Sequence, residues 1–215
     1  PPRATLEILQ DKDRFAAYLA GTRIPHPRTF PLSNESDLHQ VPFGEIDRLF
    51  LKPADSQAFA RAKARKGIWV SNRVELEIQW RQLHAQGFGL IAQEYVPGTA
   101  ADHYFIDGFR SRDGDLGGVF CRRRLRIHPP DFGNSSYCHS IPPHDTGNAL
   151  RDLESLLHDL SYRGIFSAEF KRDARTGEFR LLEINTRAWW YVEFAARCGV
   201  NVCRMAWEDA LGLPV

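Results

Sequence analysis

The sequence predicts an α+β protein: strands mostly follow strands, helices gather around them, and no regular strand–helix–strand alternation runs through the chain. Two stretches carry that reading. Sheet signals dominate residues 103–141, and a second pair of strand-like runs, 166–172 and 179–185, flanks a turn-rich segment. The composition suits a folded interior, with 43% hydrophobic and 26% charged residues among 215. It excludes a collagen-like or wholly disordered chain. Lys+Arg number 28 against 27 Asp+Glu, and a net charge of +1 gives no global basis for binding nucleic acid or an anionic membrane. Any anion site must be local. The four cysteines contain no C-x-x-C and no zinc-finger spacing, so neither structural zinc nor a disulfide framework is expected. No run of about 18 apolar residues and no signal-peptide pattern occurs, which predicts a cytoplasmic protein with no membrane partner. The chain opens Pro-Pro-Arg and its one methionine is Met205, so an origin within a longer protein is expected.

Asp11 ahead of residues 12–20 reads as the N-cap of a short helix, with Phe15 and Leu19 four apart on one face and Gly21 as its stop. Pro25, Pro27 and Pro31 force residues 22–31 into extended backbone. Within 47–52, Leu49-Phe50-Leu51 reads as a buried strand that ends at Lys52-Pro53. Residues 54–67 are small, basic and weakly patterned, and precede a short strand at 68–70; a hairpin lid is expected there. Apolar Val74, Leu76, Ile78, Trp80 and Leu83 among charges predict a helix over 74–86, followed by a strand at 90–96 that Pro97-Gly98 breaks. Strands are expected at 103–109, 116–127 and 137–141, with a turn at 129–134. An amphipathic helix at 150–160, a hairpin over 166–185, and two helices at 192–197 and 202–211 complete the chain.

The hairpin carries the sharpest chemical signal. With a five-residue loop at 174–178, Glu169 falls opposite Glu183 and Lys171 opposite Leu181, while period two puts Glu183, Asn185 and Arg187 on the face of Glu169. Directly opposed side chains have Cβ atoms roughly 4.5–5.5 Å apart, a repulsive distance for two carboxylates, so a cation should sit between them. Two carboxylates plus an amide oxygen make a hard donor set suited to Mg²⁺. Leu181, Leu182 and Ile184 suggest a strand covered on part of both faces, where an unpartnered Glu183 would be costly. Lys52, Lys63, Lys66 and the run Arg122-Arg123-Arg124 with Arg126 offer cations for phosphates, and Arg122, Arg124 and Arg126 share a strand face. No G-x-S-x-G elbow, Walker P-loop or kinase catalytic loop is present. Ser135-Ser136 could line a substrate loop or a turn; His103, His128, His139 and His144 form no ligand set; Trp189-Trp190-Tyr191 reads as core more than as substrate wall.

Asp11-Lys12 leading a helix, Ile24-Pro25-His26-Pro27, Leu51-Lys52-Pro53, Gln93-Glu94-Tyr95-Val96-Pro97-Gly98, and Glu169 followed by Leu182-Glu183-Ile184-Asn185-Thr186-Arg187 resemble the ATP-grasp superfamily in order and spacing. Among its members the chain is most similar to carboxylate–amine ligases and carboligases related to biotin carboxylase and carbamoyl phosphate synthetase. The resemblance implies two α+β subdomains clasping ATP, here 1–95 with the lid and 96–215 with the metal hairpin. It implies nucleotide contacts from Lys12, Lys52, Lys66, Gln93, the backbone of Glu94, Tyr95 and Val96, and Asp102 as the ribose partner. Glu169, Glu183 and Asn185 match the family's Mg²⁺ (or Mn²⁺) ligands, Arg124 a basic residue near the γ-phosphate and acyl phosphate, and Arg187 the arginine that holds an acidic substrate. The implied activity is ADP-forming C–N ligation of a small-molecule carboxylate and amine through an acyl phosphate. An ATP-dependent carboxylase of the same fold, or an ATP-binding module without turnover, is the alternative. Two departures stand out: the 54–67 stretch has only Gly67 where the family has several glycines, and only about ten residues precede the lysine helix where the family has a substrate-binding domain.

Overall fold

A computed structural model describes residues 1–46, 48–53, 67–130 and 133–215. Two antiparallel sheets organise it. The first joins β1 (Thr29–Leu32), β2 (Leu49–Pro53), β3 (Ile68–Val70) and β4 (Leu90–Glu94) in the order β1-β4-β2-β3. Period two turns Leu49 and Leu51 of β2 into a core with Leu76, Trp80 and Leu83 of a helix at Arg73–His84, leaving Phe50 and Lys52 on the opposite face. Asn72 caps that helix by accepting from the Glu75 amide at 2.9 Å, and the buried Trp80 indole donates to the Leu32 carbonyl at 2.9 Å.

The second sheet takes β5 (His103–Arg110), β6 (Leu116–His128), β7 (Asn134–Ile141), β8 (Gly164–Arg172) and β9 (Phe179–Asn185) in the order β7-β6-β5-β8-β9. One face, with Tyr104, Ile106, Cys121, Phe166, Ala168 and Phe170, forms the main core under helices at Arg3–Gln10, Lys12–Ala20 and Ala149–Asp159. The other face is divided. At one end Phe109 and Phe120 are covered by Trp189, Ala195 and Val202 of the C-terminal segment, whose helices run Val192–Arg197 and Val202–Ala210. The rest of that face is polar, and it carries Asp107, Arg122, Arg124, Ser167, Glu169 and Lys171. Residue 95 lies between the two sheets, yet Leu9, Phe15 and Leu19 of the first twenty residues pack in the core of the second.

The helix at Lys12–Ala20 starts and stops where its capping signals place it: Asp11 Oδ1 accepts from the amides of Asp13 (2.9 Å) and Arg14 (3.0 Å). Asp11→Ala should therefore cost about 1 kcal/mol, read as a lower urea midpoint at unchanged m-value. Three features depart from the sequence reading. Residues 3–10 form a helix that the caps do not announce. A bulge between Glu169 and Phe170 shifts the hairpin register, so Lys171 opposes Arg180 rather than Leu181, and Leu181 as well as Ile184 reaches the core. Bulges on either side of Arg126 take it off the shared face: Arg122 and Arg124 are buried whereas Arg126 is exposed. The expected lid, with Lys63 and Lys66, falls on residues 54–66, outside the described residues.

Candidate active site

Glu169 and Glu183 face each other directly across β8 and β9. Glu169 Oε1 accepts from His103 Nδ1 at 2.7 Å and from Arg124 Nη2 at 3.1 Å. Burial by itself would raise the Glu169 carboxyl; the His103 hydrogen bond and the Arg124 charge outweigh it and hold it down at about 2, so this side chain is a carboxylate at neutral pH. Because a carboxylate only accepts, His103 Nδ1 must carry the proton. Glu183 differs from expectation. It is exposed, with its Oε1 accepting from Asn185 Nδ2 at 3.3 Å, because the polar half of the sheet opens to solvent at β9. Strand β9 stops at Asn185, so Arg187 does not continue the alternation; it lies exposed in the following bend and donates to the Ala188 carbonyl at 3.2 Å.

Arg124 is buried and doubly held, its Nε donating to Ser135 Oγ at 2.7 Å while Nη2 reaches Glu169. Beside it the Phe105 ring has two guanidinium carbons near its centroid, Arg122 at 3.8 Å and Arg124 at 5.1 Å. Arg122 is fixed from the far side by Asp107, which accepts from Nε at 2.7 Å in a pair with almost no solvent exposure. The Tyr191 hydroxyl donates to the Ser135 carbonyl, and Trp189 is core whereas Trp190 is exposed.

From the first sheet, Lys52 Nζ donates to Gln93 Oε1 at 2.7 Å, and Lys12 Nζ reaches the Pro53 carbonyl at 3.4 Å. Burial and the neighbouring Lys12 cation lower Lys52 to about 8, while Glu183 and Glu169 pull the other way, so the lysines and the carboxylates of the two sheets act on one another. The sign for an anion site is direct: Lys52 is cationic below about 8 and loses its charge above it. Affinity for a phosphate-bearing ligand is expected to weaken as pH rises from 7 to 9, and Lys52→Met should flatten that profile in a titration series.

The segment between the sheets is braced. Glu94, buried at the end of β4, accepts from the Arg28 amide at 3.1 Å and pairs with Arg180 at 3.4 Å, so its side chain is occupied. The amides of Glu94 and Tyr95 donate to the carbonyls of Arg28 and Arg48, whereas the Val96 amide has no hydrogen-bond partner among the described residues. Tyr95 donates to the Gly98 carbonyl at 2.7 Å, lies edge-on to Phe50 and Trp69, and carries Lys171 Nζ 4.1 Å from its ring centroid. Gly98 sits at φ +141°, and a Cβ there would meet Asp102 Oδ2 at 2.9 Å, so only glycine suits the position. Asp102 Oδ2 closes a capping box, accepting from the Thr99 amide (2.7 Å) and hydroxyl (2.9 Å).

Thus Lys12, Lys52 and Gln93 meet on one side and Glu169, Glu183, Asn185 and Arg124 on the other, with Arg187 beyond the strand end and Lys66 outside the described residues. His103, Asp107 and Lys171 went unassigned in the sequence. His103 opposes Lys171 and Phe105 opposes Glu169 through the β5–β8 pairing, which joins strands more than 50 residues apart and leaves no local signal. Among the described residues no three His, Cys, Asp or Glu side chains cluster to hold a metal by themselves. Two carboxylates, one of them held ionised, beside an amide do fit a divalent ion that takes its other ligands from phosphate and water.

No family model matches the chain. It is 22% identical over 194 residues to D-aspartate ligase of Enterococcus faecium (strain Aus0004), an alignment covering 86% of this chain and 46% of that protein. The structure superposes on carboxyaminoimidazole ribonucleotide synthase of Aspergillus clavatus complexed with ATP, with a TM-score of 0.74 and 14% identity, covering 100% of this chain and 55% of that one. It also matches L-amino acid ligase of Bacillus licheniformis at a TM-score of 0.71 and 17% identity, with coverages of 98% and 50%. The chain has the ATP-grasp fold. It spans about half the length of these ATP-grasp proteins, and the sheets and hairpin described above are the half that matches. No helix among the described residues is long and apolar enough to cross a membrane.

Proposed function

We propose that this chain is the ATP-handling part of a Mg²⁺- and ATP-dependent carboxylate–amine ligase that works through an acyl phosphate. The observation that carries the reading is the opposed pair Glu169 and Glu183, with Glu169 held ionised by His103 and Arg124 and with Lys52 across from both. Phosphoryl transfer to a carboxylate brings two anions together, and catalysis of such a step consists mostly of positioning and of cations placed where charge develops. Lys12 and Lys52 would hold phosphates, with Lys66 a further candidate, and Gln93 fixes Lys52 by the hydrogen bond already described. The unpartnered Val96 amide and the carbonyls of Glu94 to Val96 would read the base. Asp102, already committed to Thr99 through one oxygen, is the ribose candidate. Glu169, Glu183 and Asn185 would hold Mg²⁺, which supplies charge neutralisation of the phosphates. Arg124, locked by Ser135 and Glu169, would face the transferred phosphoryl group, and exposed Arg187 would meet the acidic substrate.

The D-aspartate ligase and L-amino acid ligase matches support an amino acid as one substrate. A second reading, carboxylation with bicarbonate on the same fold, is favoured by the carboxyaminoimidazole ribonucleotide synthase match. The test incubates the chain with Mg·ATP and hydroxylamine against a panel of D- and L-amino acids. The ligase reading predicts ADP release and a hydroxamate with one carboxylate of the panel. ADP release that depends on bicarbonate and yields no hydroxamate would favour the carboxylase, and ATP binding without ADP release a module lacking turnover.

A further inference from the structure

A second cavity lies on the reverse of the five-stranded sheet, and nothing in the ATP-grasp reading uses it. Its volume is about 480 Å³, a size in the range of small-molecule sites. Tyr104, Arg123 and His139 line up across β5, β6 and β7, directly paired in register, on the face opposite Phe105, Arg124 and Glu169. The floor is apolar. Tyr104 and Phe179 meet edge to face at 4.9 Å, with Ile141 beside them. The rim is cationic, with Arg123 from β6 and Arg172 from the end of β8 set against one lining acid, Asp145, which His144 already contacts at 3.5 Å.

Each arginine uses Nε on a backbone carbonyl: Arg123 on Ala101 at 2.6 Å and Arg172 on Gly177 at 3.4 Å. Arg123 is also 5.3 Å from the Tyr104 ring centroid, and among the described residues neither arginine makes an ion pair within 4 Å. Two guanidinium groups free of ion pairs, over an aromatic floor, suit a phosphoryl group carried on an apolar body, although Asp102 lies near enough for the Arg123 charge to lower its carboxyl. The wall adds to this through Gly147, next to Asn148, where the helix Ala149–Asp159 starts with no side chain capping its first amides.

We propose that this reverse-face cavity binds a small organic monophosphate, its phosphoryl group between Arg123 and Arg172 and its apolar part on Tyr104 and Phe179. The site is separate from the glutamate pair and does not depend on the ligase reading. Calorimetric titration of the full chain with phenyl phosphate, inorganic phosphate and benzyl alcohol tests it. Phenyl phosphate should saturate one site at least tenfold more tightly than inorganic phosphate, with benzyl alcohol showing no binding. Arg123→Gln and Arg172→Gln should each weaken phenyl phosphate at least tenfold; Arg172 is exposed, so its substitution leaves the unfolding midpoint in place even if Arg123→Gln lowers it. Lys52→Met should leave the binding unchanged. Absence of saturable binding, unaltered affinity in Arg172→Gln, or a loss that follows Lys52→Met would overturn the assignment, and equal affinity for inorganic phosphate would overturn the organic part of it.

Discussion

Glu183→Gln is expected to lower ATP-dependent product formation by about 10²–10³-fold, because it removes one of two opposed carboxylates at nearly constant volume. The side chain is exposed and its partner is the Asn185 amide, so the unfolding free energy should change by less than about 0.5 kcal/mol. Glu169→Gln should behave differently. It should show a loss of activity of similar size together with a measurable loss of stability, since His103 and Arg124 both bond to the carboxylate that disappears. Parallel urea melts and ADP-release assays on the two variants check this. Wild-type turnover in Glu183→Gln would remove that residue from the site, whatever the behaviour of Glu169→Gln.

The second large effect is first of all on stability. Asp107 is fully buried and accepts from Arg122 Nε at 2.7 Å. Burial pushes its carboxyl up, and the Arg122 charge and hydrogen bond oppose that push. Asp107→Leu would leave a guanidinium inside the sheet without its anion, at a cost of about 3–5 kcal/mol. Arg122→Met in the same chain should recover most of the loss, because replacing both partners of a buried pair by apolar side chains is often neutral. Equal destabilisation in single and double variants would show that the pair is not coupled. The variants also bear on the site: Arg122 and Arg124 both contact the Phe105 ring, so releasing Arg122 loosens a wall that Arg124 shares.

What the sequence made legible is whatever rests on local rules. Asp11 and Gly21 delimit a helix because caps act within one turn; the five-residue loop also predicts the Glu169–Glu183 opposition that is observed, but the turn pairs Arg172 with Phe179, and it is the bulge at Leu182 that restores that opposition. The same rules fail one residue later, since the bulge between Glu169 and Phe170 has no signature beyond a leucine too many at Leu181-Leu182. Glu183 is exposed for a related reason. Apolar neighbours in a strand indicate that one face is covered, and the C-terminal helices cover only the end of this face that holds Phe109 and Phe120. The partners His103 and Lys171 needed the β5–β8 pairing, and the reverse-face cavity needed two turns distant in sequence to meet beside Arg123. The family resemblance supplied the order of the motifs; the geometry added who holds each side chain in place.

If the opposed glutamates and Lys52 form one metal-dependent nucleotide site, ATP and the metal must bind interdependently. Calorimetric titration of ATP into the full chain, with Mg²⁺ and with EDTA, for the wild type and for a Glu169→Gln, Glu183→Gln double variant, tests it most directly. The wild type should show saturable binding that Mg²⁺ strengthens at least tenfold, and in the double variant binding should no longer couple to the metal. ATP binding of equal strength in EDTA and in Mg²⁺, unchanged in the double variant, would contradict it.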